Sequence, residues 1–406
     1  MSFVSQLIKV SVNEDNRHLE VFSNTETLEL MSRSSSGVLF SVVDSKGIIV
    51  KSIHQWLNHL VRQAGLSISI GTIEQYGRTL SYLCRWIEAH PPYSNLDIEG
   101  NIKLLTRYDV VSWIQAMKDD GVEYSLHSRE ACLKQFLGWL TTIDGGRVRA
   151  VDDSPWGRDG NLRSVVSRPS AHSPKYISVE MVISILNQMH NECERSMFHT
   201  QYDTGLRISE LVNLCIKDLP DGDKYDPSHE FIPMYVSGVK GSGGQSKNRI
   251  TLISRAVLKR IKRYHSSVDY KLAPDWNIND PNKPVFLTAN QLPGSARNAS
   301  KQFKSAVRRA GVNDSFRTHW MRHGTAFSVL RSNIGKSYED RMLTVQQMLG
   351  HARLETTEIY TQISPALLTK LTQAGKEIDR LKEAEHIREE TFLAPLKHKE
   401  KRGRRG

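Results

Sequence analysis

Four short stretches in the second half of the sequence carry residue types suited to chemistry at a phosphate. They are Thr204-Gly205-Leu206-Arg207-Ile208-Ser209-Glu210-Leu211, the turn lysine Lys240, His319-Trp320-Met321-Arg322-His323-Gly324, and Leu349-Gly350-His351 followed by Thr356-Thr357-Glu358-Ile359-Tyr360-Thr361. Arginine is always charged and can grip two phosphate oxygens at once. Arg207 and Arg322, if they converge, can neutralise a phosphodiester and hold the extra charge of its pentacoordinate transition state. His319 and Arg322 stand three apart, so on a helix they share a face. A lysine in a β turn reaches an oxygen as a point donor. A tyrosine hydroxyl can attack phosphorus, but its ordinary pKa of about 10 leaves about a thousandth of it ionised at neutral pH, so it needs a base or cationic surroundings.

Taken singly, each piece has a plainer explanation. Arg207 with Glu210 is an ordinary helical pair, Lys240 a solvated charge, His319 a cap or a satisfied core histidine, His351 a helix-start residue and Tyr360 a packing residue. His319 and His323 match half of a zinc-protease helix, but that motif needs Glu where Trp320 stands. The ordered set carries more than its parts, because independent accidents would have to coincide. Over residues 176–365 it resembles the tyrosine recombinase family, which includes phage integrases and Xer recombinases. The resemblance implies that Tyr360 attacks the scissile phosphate, forming a 3′-phosphotyrosyl link and freeing a 5′-hydroxyl. It implies that Arg207 and Arg322 clamp the phosphate, His319 serves as general acid/base and His351 hydrogen-bonds the phosphate. Lys240 would protonate the leaving 5′ oxygen, and Glu210 would orient Arg207 from behind. Because the phosphotyrosine stores the bond energy, no ATP, metal or other cofactor is implied. The stretch from Lys240 to Arg249 is longer than the family's usual Gly-Lys-Gly turn, so Lys247 competes for the lysine role. Lys240 is preferred because it directly precedes a glycine after a strand. A polar piece at 331–337 reads as a surface loop without effect on the site.

The elements that must position these residues divide the chain as follows. Residues 1–50 form a small β-rich element in which 37–43 and 48–50 read as strands around a turn. Residues 51–143 carry about four amphipathic helical stripes, among them Ile53, Trp56, Leu57, Leu60 and Val61, and resemble the family's core-binding domain. Thr106 and Asp109 bracket a helix start. Residues 144–175 read as a basic linker, 176–366 as the catalytic domain with a β insert near 231–253, and 367–406 as a C-terminal helix and basic tail. The fold class expected is mainly α with a small β insert (α+β). The apolar stripe at 366–385 suits docking on a neighbouring protomer or folding back on its own domain.

A net charge of +11 and a pI near 9.4 favour a polyanionic partner. Double-stranded DNA is the partner implied, held in a clamp of two helical units, as a homotetramer with accessory DNA-bending or directionality proteins. Residues 1–50, poor in basic side chains, suit capping or protein contact better than binding DNA arm sites. Cys84, Cys132, Cys193 and Cys215 form no Cys-x-x-Cys pair, against a zinc ribbon or redox motif. No run of about 18 apolar residues and no signal peptide is visible, so a cytoplasmic enzyme without a membrane partner is expected. The rival functions are a type IB topoisomerase-like relaxing enzyme and a non-catalytic DNA-binding regulator with the same fold.

Overall fold

The computed structural model describes residues 4–11, 38–63, 68–122, 125–157, 162, 176–240, 246–271, 280–288, 294–313, 315–332, 334–335, 337–351 and 379–394, with the backbone alone for 11, 238–240, 246, 247 and 271. It separates into two compact units, one from the described residues of Met1–Ser170 and one from those after Ala171.

In the first unit, β1 (Gln6–Ser11) pairs antiparallel with β2 (Val38–Val43). The turn expected after Val43 is present, with Asp44 Oδ1 accepting from the backbone of Lys46 and Ile48 at 2.9 and 2.7 Å. The strand expected at 48–50 is reduced to one bridge between Val43 and Ile49. The chain enters helix α1 (Lys51–Arg62) straight after Val50, which leaves too few residues for a ladder, so β2 takes β1 as its partner. Four more helices follow: α2 (Ile70–Ala89), α3 (Ile98–Leu104), α4 (Arg107–Asp119) and α5 (Leu126–Trp139). Ser69 and Asp97 cap α2 and α3, and Thr106 with Asp109 closes the capping box on α4. The count is five where four stripes were read; α3 spans seven residues, too few to show a repeat. Trp56 lies at the centre of the bundle, stacked on Tyr76 and tilted against Phe136. Phe40 and Val42 of the ribbon are fully buried in this same core.

The second unit is helical around one hairpin. Its elements are α6 (Val179–Asn187), α7 (Glu192–Thr204), α8 (Ile208–Val212), β3 (Phe231–Lys240), β4 (Ser246–Ser254), α9 (Arg255–His265), α10 (Val268–Lys271), α11 (Ala296–Arg309), α12 (Thr318–Arg331), α13 (Tyr338–Leu349) and α14 (Arg380–Thr391). β3 and β4 pair antiparallel, with an irregularity between Val236 and Val239. Phe198, Leu211, Ile232, Ile253, Val257, Phe303 and Met321 fill the core. A smaller cluster of Phe327, Val329, Val345, Met348 and Leu349 joins α12 to α13. The helices at Arg331 and Tyr338 nearly meet, and Ser332 between them is fully buried, so the stretch expected as a surface loop is in part a tight inter-helix connection. Residues 366–378 lie outside the described residues. Most of the apolar stripe expected at 366–385 falls there too; α14, which begins at its far end, buries Arg380, Ala384, Ile387 and Thr391 within its own unit. No helix among the described residues is long and apolar enough to cross a membrane.

Candidate active site

The first arginine is placed by a break between two helices. α7 stops at Thr204 because Gly205 takes a left-handed backbone, φ 67°, that ends it. A side chain at 205 has no room either, since a Cβ there would lie 2.6 Å from Leu349 Cδ2. Leu206 turns into the core and Arg207 becomes the N-cap residue of α8. The Arg207 backbone N–H donates to Glu210 Oε2 and its Nη1 to Glu210 Oε1, both at 2.8 Å. Arg249 on β4 donates from Nη2 to Glu210 Oε2 at 2.6 Å. Burial pushes the Glu210 carboxyl up, but Arg249 and Arg207 outweigh it and hold the group below the usual carboxylate range. Glu210 is therefore an ionised bridge between two guanidinium groups.

α12 begins at Thr318, so His319 falls in its first turn, and Arg322 one turn on is buried, 2% exposed. Arg322 donates from Nη1 to the Gly205 carbonyl and from Nη2 to the Leu349 carbonyl. One guanidinium thus ties the end of α7 to the end of α13. Arg249 donates from Nη1 to the neighbouring carbonyl, Met348 O. α13 ends at Gly350, left-handed at φ 62°, and His351 follows, its N–H donating to Gln346 O at 3.0 Å.

Three histidines share this cationic surrounding. The rings of His319 and His323 meet edge to face, 4.7 Å between centroids. Burial, then Arg322, Arg207, His319 and Arg249, pushes His351 down to about 4. Burial, then His319, Arg322 and His351, pushes His323 down to about 3. His319 is exposed as a whole residue, yet partial desolvation of its ring, then Arg322 and Arg207, lowers it as well. All three are neutral at pH 7, and a neutral imidazole can both donate and accept a hydrogen bond. Fixed guanidinium groups beside neutral imidazoles make a site for an anion that must also exchange protons.

Residues 175–366 match the model of the phage integrase family. Over 247 residues the chain is 30% identical to tyrosine recombinase XerC of Escherichia coli O157:H7, which covers 59% of this chain and 70% of that protein. The chain belongs to the phage integrase family of tyrosine recombinases. The recombinase is also 23% identical over 319 residues to tyrosine recombinase XerD of Halalkalibacterium halodurans, covering 77% of this chain and 93% of the relative. Among solved structures it shares its fold with a XerH site-specific recombinase bound to difH substrate (TM-score 0.53, 15% identity, 80% of this chain and 84% of that one). The Tn1549 transposon integrase in complex with circular intermediate DNA is similar too (TM-score 0.53, 17% identity, 80% and 99%).

In the recombinase the stretches around Arg207, His319–His323 and His351 come from α8, α12 and the end of α13 and meet through shared hydrogen bonds and charge. Lys240 closes β3 opposite Ser246, and Lys247 stands on β4 opposite Val239; only their backbones are described. Tyr360 lies outside the described residues. Arg249 was not among the sequence candidates. Its signal was present in the alternation of β4: Arg249, Thr251 and Ile253 are buried while Ile250 is 47% exposed, so an arginine heads the inward row of a strand.

Proposed function

We propose that this recombinase cleaves and rejoins DNA strands at defined sites through a 3′-phosphotyrosyl intermediate on Tyr360. The observation that carries the reading is the Arg322 guanidinium, bound at once to the carbonyl before Leu206-Arg207 and to the one before Gly350-His351. The stretches that carry Arg207, Arg322 and His351, far apart in the sequence, thereby share one cationic environment, which supports the reading. Tyr360 Oη attacks phosphorus, the bond to the 5′ oxygen breaks, and Lys240 (with Lys247 the alternative) supplies the proton to that oxygen. Arg207 and Arg322 neutralise the non-bridging oxygens as charge builds on them. His319 exchanges the tyrosine proton, and His351 hydrogen-bonds the phosphate. Glu210 keeps Arg207 oriented. Attack by a different 5′-hydroxyl on the phosphotyrosine reverses the step and exchanges strands. Double-stranded DNA is the substrate on this reading and a homotetramer the assembly; the XerH and Tn1549 integrase structures are themselves complexes with DNA.

A nicked suicide DNA substrate tests it. The wild type is expected to form a covalent protein–DNA adduct and Tyr360→Phe none. Arg207→Ala and Arg322→Ala should slow adduct formation by about a hundredfold or more. An adduct with both wild type and Tyr360→Phe, or with neither, removes Tyr360 from the role.

A further inference from the structure

We infer that Arg249 is a positioning residue of the recombination site: one guanidinium fixes both the Glu210 carboxylate that orients Arg207 and the last turn of α13 that leads into His351. The inference rests on the function proposed above and adds to it a residue that lies outside the four stretches of the sequence analysis.

Arg249 stands on the buried row of β4 and is 8% exposed. A long charged side chain is costly to bury unless its donors are engaged. Two of them are: Nη2 donates to Glu210 Oε2 at 2.6 Å, and Nη1 to the carbonyl of Met348. Both partners lead directly to phosphate-handling groups. Glu210 holds Arg207 by its backbone and its side chain. Met348 is in the closing turn of α13, which Arg322 grips at the next carbonyl. The chain is shaped around this passage, because a Cβ at Gly350 would stand 2.5 Å from Arg249 Cδ. A guanidinium serves two acceptors from two nitrogens in fixed directions; a lysine ammonium carries its three donors on one nitrogen at the end of a flexible stem and does not span both acceptors in register.

Arg260 provides an internal comparison. It is a buried arginine of the same unit, deeper than Arg249, and is paired with Glu192 at 2.6 and 3.0 Å, with further bonds to Thr391. None of these partners belongs to the site. Loss of a buried fork at 260 therefore reports on folding, and loss at 249 on folding and positioning together.

The experiment compares wild type, Arg249→Lys, Arg249→Gln and Arg260→Lys as full-length chains. Measurements are single-turnover adduct formation on the nicked substrate, DNA affinity by gel shift, and thermal unfolding, with cleavage assayed well below each midpoint. The expected result is at least a tenfold slower cleavage for Arg249→Lys with affinity within about twofold of wild type, and wild-type cleavage for Arg260→Lys. In a Glu210→Gln background, Arg249→Lys should cost less than it does alone, since the route through the carboxylate to Arg207 is already lost and only the hold on the last turn of α13 remains to be removed. Wild-type cleavage by folded Arg249→Lys, or equal losses at 249 and 260, overturns the inference. So does failure of both Arg249 variants to fold, which assigns the residue to folding alone. If the wild type forms no adduct, or Tyr360→Phe still forms one, the functional reading falls and this inference with it. If that pair behaves as proposed, the Arg249 variants alone decide.

Discussion

A neutral imidazole and an imidazolium are different reagents, and burial, helped by charge, chooses the first for His323 and His351. Their side chains are pushed down to about 3 and about 4, with burial the leading cause, followed by the neighbouring His319 ring and then Arg322 for His323, and by Arg322 and Arg207 for His351. In the unfolded chain a histidine titrates near 6.5. Between those values the unfolded state binds protons that the folded state refuses, so stability rises with pH across the window. The contribution is whole above about 6.5 and drains as the pH falls toward about 4 and then about 3. The thermal midpoint is therefore expected to fall on acidification from pH 7 to pH 4, and His323→Gln, which removes one such proton, should make the fall shallower. An unchanged slope in His323→Gln would show that the ring titrates normally in the fold. The candidate residues of the four stretches were legible because polar side chains at fixed offsets from glycine stand out in a sequence. Arg249 shows only through the alternation of β4, which marks it as inward-facing but not as a site residue, because no offset marks a buried arginine that binds a glutamate 39 positions away.

At the level of elements, the site depends on how helices end. α7 and α13 both stop in a left-handed glycine, and each stop sends a candidate site residue, Arg207 or His351, out of the helical path. Gly311, after α11, has the same conformation (φ 65°) with nothing within 4 Å of where a Cβ would stand, so it isolates the backbone cost. Gly311→Ala should cost about 1–2 kcal/mol, the penalty of a left-handed L-residue. Gly350→Ala should cost about 1–3 kcal/mol more, the range for overpacking, because its Cβ would meet Arg249 Cδ at 2.5 Å. Chemical denaturation of both variants checks this, and equal losses would mean that Arg249 moves aside without penalty. The long helices and the hairpin at 231–254 were legible from period and turn residues. The seven-residue α3 was not, being shorter than two turns of repeat. Nor was the pairing of β2 with β1, since alternation marks a strand but does not say which strand lies beside it.

The molecule as a whole carries a net charge of +11, and the structure shows where part of it is presented. α11 turns Ala299, Phe303, Ala306 and Val307 inward and leaves Arg297, Lys301, Arg308 and Arg309 exposed, with no acidic residue in the helix. The sequence could not settle the course of the C-terminal segment in the same way, because an apolar stripe shows that a face is covered without showing by what. Arg260, Glu192 and Thr391 settle it for α14 through polar bonds that no periodicity reveals. A cationic face of the α11 kind binds phosphates by releasing counterions, so the logarithm of affinity falls linearly with that of salt, by about 0.9 per phosphate neutralised. For a footprint of about 6–10 phosphates, DNA affinity should drop on the order of a thousandfold or more between about 50 and 200 mM salt. If α11 is part of that footprint, Lys301→Gln should weaken binding to specific and unrelated duplexes alike and reduce the slope by about one. A gel-shift titration across salt decides it: a variant that keeps the wild-type slope places Lys301 off the DNA, and a wild type insensitive to salt would mean that phosphates are not what this surface holds.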